Sequence, residues 1–202
     1  MVSHIICYTN VMNHTHPKII AFVGMPGSGV TTAVDYMTAK GYPKVHFGSV
    51  VLKAIDEAGL DINPENEAFM REALRQKGGN DIIAKQIIMQ IQHLINAGQH
   101  RIIADGLYSW TEFKALKHAF PGELTLIAIL APKHVRHHRL ANRPKRPLTE
   151  AEATDRDWRE IEHLEKGGPI AMADHFIINE ENIDRLYADI DLELDNSGFY
   201  DA

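Results

Sequence analysis

A glycine-rich segment at residues 24–32 carries the clearest chemical signal in the sequence. It reads Gly-Met-Pro-Gly-Ser-Gly-Val-Thr-Thr. Glycines at this spacing allow a tight turn whose successive backbone N–H groups face an anion. An apolar run at 19–23 precedes the segment, and a helical pattern follows it to about residue 39, so the positive end of a helix dipole would add to the attraction. The segment, which we call the glycine loop, predicts a cradle for the phosphates of a nucleoside triphosphate.

One position of the glycine loop departs from the phosphate-binding motif. Val30 stands where the motif has a lysine that reaches the outer phosphates, whereas Thr31 stands where the motif places the hydroxyl that binds Mg²⁺. We therefore expect ATP to bind with Mg²⁺ in weakened form, and phosphoryl transfer to suffer more than binding. A strand-to-helix turn without any ligand is the alternative. The residues that we expect to contact the nucleotide are Gly24, Pro26, Gly27, Ser28, Gly29, Val30, Thr31 and Thr32.

An aspartate ends the apolar run at 101–105. Ligands of open α/β sheets bind beyond the carboxyl ends of the strands, which is where Asp105 would lie. Its carboxylate could join Thr31 in holding Mg²⁺, or it could position the hydroxyl of a phosphate acceptor, so we count it among the catalytic residues. A turn aspartate before Gly106 is the alternative.

A dense basic segment, residues 136–146, lies between Pro132 and Pro147. The spacing places Arg136, Arg139 and Arg143 on one face of a helix. A mobile segment of this kind can close over a triphosphate and neutralise the group in transfer, so Arg139 and Arg143 are the catalytic candidates. The segment could also partly replace the missing lysine. A solvated helix face is the alternative, and RNA binding is disfavoured because no aromatic residues interleave the basic ones.

Arg71 and Arg75 are four residues apart and would share a helix face. Because arginine binds phosphates and carboxylates through two parallel hydrogen bonds, we expect this pair to bind an anionic group of the acceptor. A surface ion pair with Glu67 or Glu72 is the alternative.

The chain resembles the adenylate-kinase-like branch of P-loop kinases, and within that branch it is similar to the dephospho-CoA kinase-like family described from archaea. The similarity runs from about residue 19 to residue 180. It is carried by the segments 24–29, 47–51, 74–78, 105–106, 136–143, 155–157 and 173–180. The resemblance implies an ATP-dependent small-molecule kinase with a mobile lid, and it specifies no substrate.

The chain also departs from the pattern of that family at three positions. Val30 replaces the lysine, Ser49 stands where the family commonly has aspartate, and Tyr108 where it often has arginine. Each departure removes a charged group from the expected site, which affects phosphoryl transfer more than nucleotide binding.

Short apolar runs alternate with longer helical stretches along the chain, which predicts parallel strands joined by helices. The fold class is therefore α/β: a three-layer α/β/α arrangement with a mostly parallel sheet, a P-loop fold with a small lid. We expect 124–130 to be a central strand. The expected strands are 19–23, 45–47, 101–105, 124–130 and 176–178, and the expected helices cover about 30–39, parts of 50–77, 81–97 and 182–194.

The length of 202 residues suits one domain, at residues 17–194 with the lid at about 133–157. We expect residues 1–16 to be a flexible extension, in which Met12 is a candidate start, and residues 195–202 to be a frayed tail.

A net charge of −6 argues against a duplex-binding protein, and we expect no nucleic-acid partner. The apolar runs are too short to span a bilayer, which predicts no membrane partner. The chain has one cysteine and no pattern of a signal peptide, which is typical of a cytoplasmic protein.

Three functions fit these residues. The first is an ATP-binding phosphotransferase acting on a small nucleotide-like or coenzyme-like acceptor. The second is a nucleotide-binding regulatory module with impaired catalysis, favoured by the three departures. The third is an NTPase coupled to a partner, which ranks lower because no residue stands out as a base that activates water.

Overall fold

The computed structural model describes residues 16–201. The expected extension at 1–16 lies almost wholly outside the described residues. Within the described part, a parallel sheet has the strand order β2-β3-β1-β4-β5. The strands are β1 (Lys18–Val23), β2 (Lys44–His46), β3 (Arg101–Asp105), β4 (Leu124–Leu130) and β5 (His175–Ile178).

Helices connect the strands and cover both faces of the sheet, which confirms the three-layer α/β/α prediction. They are α1 (Val30–Ala39), α2 (Phe47–Glu57), α3 (Pro64–Gly78), α4 (Ile82–Asn96), α5 (Trp110–Ala119), α6 (Lys133–Asn142), α7 (Glu150–Glu162), α8 (Gly167–Ala171) and α9 (Ile183–Asn196). No helix between residues 16 and 201 combines the length and apolar character that a bilayer crossing requires.

Alternate side chains of the central strand β1 belong to two different clusters of the core. Ile19 and Ala21 belong to a cluster that also contains buried side chains of α2, α4 and α5. Ile20 and Phe22 belong to a second cluster, with buried side chains of α1 and α9. Alternate side chains of a strand point to opposite faces, so every residue of β1 from Ile19 onwards is buried on one side or the other. The range 124–130, predicted to be a central strand, is the interior strand β4, which lies between β1 and β5.

The predicted frayed tail is wrong for most of its length. Helix α9 continues to Asn196, and Phe199 is fully buried in the cluster beneath α1 and α9. The Arg101 side chain donates hydrogen bonds to the carbonyl oxygens of Phe199 and Asp201. The buried aromatic ring and these bonds fix residues that appear polar and unstructured in the sequence.

Candidate functional site

The glycine loop joins β1 to α1, and three parts of the molecule pack against its glycines. A Cβ on Gly24 would lie 2.4 Å from the carbonyl oxygen of Ile129 in β4. A Cβ on Gly27 would lie 2.6 Å from the carbonyl oxygen of Arg136, and one on Gly29 would lie 2.4 Å from the Asn179 amide nitrogen. Gly27 and Gly29 also have positive φ values of 81° and 113°. The loop therefore requires glycine for both its backbone conformation and its close contacts.

Two side chains from outside the loop hold its carbonyl groups. Arg136 Nη1 donates to the Pro26 carbonyl oxygen at 2.9 Å, and the Asn179 amide donates to the Ser28 carbonyl oxygen at 2.7 Å. Arg136 and Asn179 are both buried. The conformation of the loop is thus fixed by α6 and by the residue after β5, as preorganised anion binding requires.

The loop lines a cavity of about 450 Å³, which we call the loop cavity. All of the loop residues expected to contact nucleotide line it, together with Asp105, Arg139 and Arg143. Helix α1 begins at Val30, so its N-terminus lies at this cavity. The structure therefore brings together the predicted phosphate-binding and catalytic residues, while Arg71 and Arg75 lie elsewhere.

Two residues with oxygen atoms that could bind a magnesium ion also line the loop cavity. The Thr31 hydroxyl and the Asp105 carboxylate both belong to residues that line it. Mg²⁺ prefers oxygen ligands and takes most of them from phosphates and water in sites of this type. One hydroxyl and one carboxylate therefore suit the ion.

Asp105 is a largely buried carboxyl at the end of β3. Burial raises its pKa, and nearby His46 and Lys44 offset part of that rise. Its Oδ2 lies 3.8 Å from Lys44 Nζ and 3.9 Å from His46 Nε2. A carboxylate with a raised pKa accepts a proton more readily than an ordinary aspartate, which suits the role of a base as well as that of a metal ligand.

The basic segment differs from its prediction in one respect. Arg136 is buried and forms a bidentate ion pair with Asp157 of α7, at 2.8 and 2.7 Å. Arg143 follows the last residue of α6 and has extended backbone, and its Nε donates to the Arg146 carbonyl oxygen. The three predicted arginines therefore do not act as one exposed face: Arg136 joins α6, α7 and the loop, because the face it occupies packs against them.

Arg139 lines the loop cavity, and its hydrogen-bond partners differ from those of Arg136. Its Nη2 donates weakly to the Asn179 side-chain oxygen at 3.4 Å. Its Nη1 is buried, and it is one of the few side-chain atoms in residues 16–201 that are buried without a hydrogen-bond partner. A buried guanidinium nitrogen without an acceptor is costly, and a phosphate oxygen in the cavity would satisfy it.

Three further charged residues line the loop cavity that sequence reasoning did not place there. Arg156 and Glu160 of α7 form an ion pair at 3.1 Å, and Glu160 also contacts the ammonium of Lys166 very closely. The spacing of Arg156 and Glu160 indicates an ion pair but not its location. Lys166 lies between α7 and α8, outside any helical or strand periodicity, so no sequence signal points to it.

Arg71 and Arg75 line a second pocket of about 390 Å³, which we call the arginine pocket. Among the described residues no ion pair includes either arginine, so the predicted alternative of pairs with Glu67 or Glu72 is not observed. Glu112 also lines this pocket, but its carboxylate accepts hydrogen bonds from the backbone N–H groups of Tyr108 and Ser109. Among the described residues, the arginine pair and Glu67, which also lines this pocket, are thus charged side chains without an ionic partner.

The two cavities share Tyr108, Arg156 and Glu160 as lining residues. Partial burial, with the carboxylates of Asp105 and Glu160 nearby, raises the pKa of Tyr108 to about 12. The phenol therefore keeps its proton at neutral pH and can donate a hydrogen bond. The loop cavity and the arginine pocket are adjacent compartments that meet at this tyrosine.

Comparisons with known proteins give a family and a fold. No protein-family model matches the chain. A UPF0200 protein from Thermococcus onnurineus is 34% identical over 165 residues, which cover 80% of this chain and 88% of that protein.

Solved structures with the same fold are much less similar in sequence. A crystal structure of TT1252 from Thermus thermophilus has a TM-score of 0.62 at 16% identity, covering 90% of this chain and 98% of that one. Shikimate kinase from Bacteroides thetaiotaomicron has a TM-score of 0.55 at 10% identity, with 89% and 97% covered. A gluconokinase from Sinorhizobium meliloti has a TM-score of 0.52 at 13% identity, with 92% and 98% covered. The fold is that of P-loop kinases.

Proposed function

This chain belongs to the UPF0200 protein family, and we propose that it is an ATP- and Mg²⁺-dependent phosphotransferase that acts on a small anionic acceptor. The observation that carries the proposal is the adjacency of two different compartments. One is lined by the glycine loop, and the other contains Arg71 and Arg75, which form no ion pair with any residue that the structure describes. Phosphoryl transfer requires a donor and an acceptor held next to each other, with charge to stabilise the group in transfer.

The donor triphosphate would lie in the loop cavity. Backbone N–H groups of the glycine loop and the N-terminus of α1 would bind its phosphates. Thr31 would hold Mg²⁺ directly and Asp105 through a bound water, so that the carboxylate stays free to accept a proton, and the ion would neutralise phosphate charge when bound. Arg139 would bind a phosphate oxygen through Nη1, which has no hydrogen-bond partner in the described part of the chain.

A small side pocket of about 280 Å³ suits the nucleotide base. It is lined by Gly29 and Arg139, by Asn179 and by residues at the start of α9, including Ile183. A planar base could contact Ile183 and Leu186, while the amide of Asn182 offers a polar group at its edge. Because the pocket shares Gly29 with the glycine loop, the base and the phosphates could be bound together.

The acceptor would lie in the arginine pocket, with a phosphate or carboxylate on Arg71 and Arg75. Its hydroxyl oxygen would attack the terminal phosphorus, the bond to the leaving diphosphate would break, and Asp105 would take the hydroxyl proton. Asp105 lines the loop cavity and lies 3.9 Å from His46, which lines the arginine pocket. This position at the junction supports its assignment as the base.

A regulatory module with impaired catalysis is the second candidate, and two side chains favour it. Val30 packs against the core cluster of α1 and α9 and supplies no charge to the phosphates. Ser49, where the related family commonly has aspartate, donates its hydroxyl to the His46 carbonyl oxygen. Both side chains have taken structural roles in place of charged ones.

Calorimetry followed by product analysis separates these functions. We expect ATP·Mg²⁺ to bind and to yield ADP with a phosphorylated product from one member of an acceptor panel. The panel contains nucleoside monophosphates, dephospho-CoA, shikimate and gluconate. Binding without turnover on any acceptor would favour the regulatory module, ATP hydrolysis without an acceptor would favour the NTPase, and no binding at millimolar ATP would contradict all three.

The role of Arg139 can be tested in the same assay. If the segment 133–157 acts as a lid, Arg139→Ala should lower the turnover rate more than it weakens ATP binding, because the contact would be strongest in the transition state. Hydrogen exchange over the segment should slow when ATP·Mg²⁺ and acceptor are present. Full activity in Arg139→Ala together with unchanged exchange would contradict both the catalytic role of Arg139 and the lid.

A further inference from the structure

The first turn of α1 contains no cation. Val30, at the position of the motif lysine, is partly buried, and its side chain packs against the core cluster of α1 and α9. Thr31 and Thr32 follow it. If a triphosphate occupies the loop cavity, any mobile positive charge near its outer phosphates must come from another part of the chain.

Lys166 is a buried lysine that lines the loop cavity. It precedes α8, and only 4% of its surface is exposed. Its ammonium contacts the Glu160 carboxylate, and it lies 5.0 Å from the centre of the Tyr108 ring. Lysine is almost never so fully buried unless it is paired, and here its partner also lines the cavity.

Stability alone gives a poor account of this lysine. Removing both charges from water costs about as much as their attraction returns, so a buried ion pair adds little net stability. Burial lowers the pKa of Lys166, although Glu160 opposes that shift. The position of this ammonium, buried beside the glycine loop, is better explained by an anionic ligand that binds to it.

The ion pair can release Lys166 without leaving Glu160 unpaired. Arg156 Nε already donates to Glu160 Oε1 at 3.1 Å, while the ammonium contacts Oε2. The lysine side chain has four flexible carbons and a point charge that can turn toward a second anion. A phosphate arriving in the loop cavity would therefore offer Lys166 a new partner while Arg156 continues to hold the carboxylate.

We propose that Lys166 supplies the phosphate-binding cation that Val30 does not provide. Val30 and Lys166 are far apart in the sequence but line the same cavity. The positive charge would therefore come from the segment between α7 and α8 and not from the glycine loop. This inference rests on the proposed function, because it requires a nucleoside triphosphate in the loop cavity.

A set of four variants, titrated with ATP·Mg²⁺ and with AMP by calorimetry, tests the proposal. Lys166→Met should weaken ATP binding about 10- to 100-fold and AMP binding much less, since a charge-assisted bond to an outer phosphate is lost. The double variant Val30→Lys/Lys166→Met should recover ATP affinity to within a few-fold of the wild type. Val30→Lys alone should change affinity little, because the place is already filled. Lys85→Met, an exposed lysine of α4, is the matched control.

Several outcomes would overturn the proposal. A Lys166→Met variant that melts as a folded protein and binds ATP like the wild type would do so, and so would equal losses for ATP and AMP. A gain of tenfold or more in Val30→Lys alone would also overturn it, and that result does not depend on whether Lys166→Met folds. Failure of the wild type to bind ATP would refute the proposed function and this inference together, whereas the other outcomes refute the inference alone.

Discussion

The loop cavity and the arginine pocket meet at Tyr108, but they are built in opposite ways. The loop cavity uses backbone groups of one continuous segment, which Arg136, Asn179 and the end of β4 hold in place. The arginine pocket is made of side chains that include those of α2, α3, α5 and α7, and two of its charged residues, Arg71 and Arg75, are only partly buried. Because backbone groups present the same atoms whatever the side chains are, one compartment suits a fixed ligand group and the other can vary its ligand.

The strongest test of this contrast is to disturb the backbone of the loop. Gly29→Val should abolish ATP binding, because Gly29 has a φ of 113° and a Cβ there would lie 2.4 Å from the Asn179 amide. Gly41→Val is the matched control, since Gly41 also has a positive φ, of 93°, but its Cβ would meet nothing within 4 Å. Both variants carry backbone strain, of about 1–2 kcal/mol. Calorimetry that finds equal binding in Gly29→Val and the wild type would contradict a backbone cradle.

The next largest effect, on stability, is expected at Arg136, which holds the glycine loop through the Pro26 carbonyl. Arg136→Met leaves the Asp157 carboxylate buried beside His137 alone and removes the donor to the Pro26 carbonyl. We expect the free energy of unfolding to fall by about 3–5 kcal/mol, measured by denaturant titration. Arg159→Met, an exposed position on α7, should cost little.

A double variant checks the reason for that loss. Arg136→Met/Asp157→Leu should recover part of the stability, because the uncompensated charge is then gone. A double variant no more stable than Arg136→Met would mean that the arginine acts through packing or through the Pro26 contact rather than through the ion pair.

A substitution in the arginine pocket should weaken acceptor binding and leave ATP binding unchanged. Arg75→Ala should raise the KM for the acceptor about 10- to 100-fold, as the loss of a charge-assisted hydrogen bond does, and leave ATP affinity unchanged. Lys77→Ala, an exposed position on the same helix, is the control. An equal loss of ATP affinity in Arg75→Ala would mean that the two compartments are not separate.

The smallest expected effect is a pH dependence at the junction of α6 and α7. Burial alone would raise the pKa of Asp157, but hydrogen bonds and charge from Arg136 and His137 outweigh it, and the pKa is lowered. A carboxyl with a lowered folded-state pKa stabilises the protein above its unfolded value of about 3.9 and loses that contribution as the pH falls through the folded pKa. We therefore expect the melting temperature of the wild type to fall more steeply below about pH 4 than that of Asp157→Asn. Asp155→Asn should behave like the wild type, and parallel curves for all three would exclude this contribution.

The sequence predicted the sheet well because its strands are apolar runs with clear ends. The predicted ranges 101–105 and 124–130 match β3 and β4, since both are continuous buried segments between polar residues. The order of the strands was not predicted, because apolar runs indicate that a strand is buried but not which strands lie beside it. The tail was mispredicted because its anchors, the buried ring of Phe199 and the hydrogen bonds from Arg101, make no periodic pattern.

The candidate site, like the sheet, has a part that the sequence predicts and a part that it does not. A cradle made of consecutive residues can be recognised from their types and spacing, whereas Lys166 reaches the loop cavity, and Asn179 the glycine loop, only through the fold. Arg136 illustrates the limit most clearly. Its spacing from Arg139 predicts one helix face for both, yet Arg136 is buried in an ion pair and Arg139 has a nitrogen without a hydrogen-bond partner among residues 16–201. Helix periodicity indicates a shared side of the helix but not the neighbour that meets each residue.

The central position of β1 has a consequence for how the chain reaches its fold. β1 is made early, but its two neighbours come much later in the sequence: Lys18 pairs with Arg101, and Ile19 pairs with Leu124. During synthesis, the most apolar strand of the first half must remain without sheet partners until more than half of the chain has been made. Pairing between such distant segments requires large loops to close and slows folding. The middle of the sheet is therefore completed late, and until then the backbone of β1 is open to pairing with other chains.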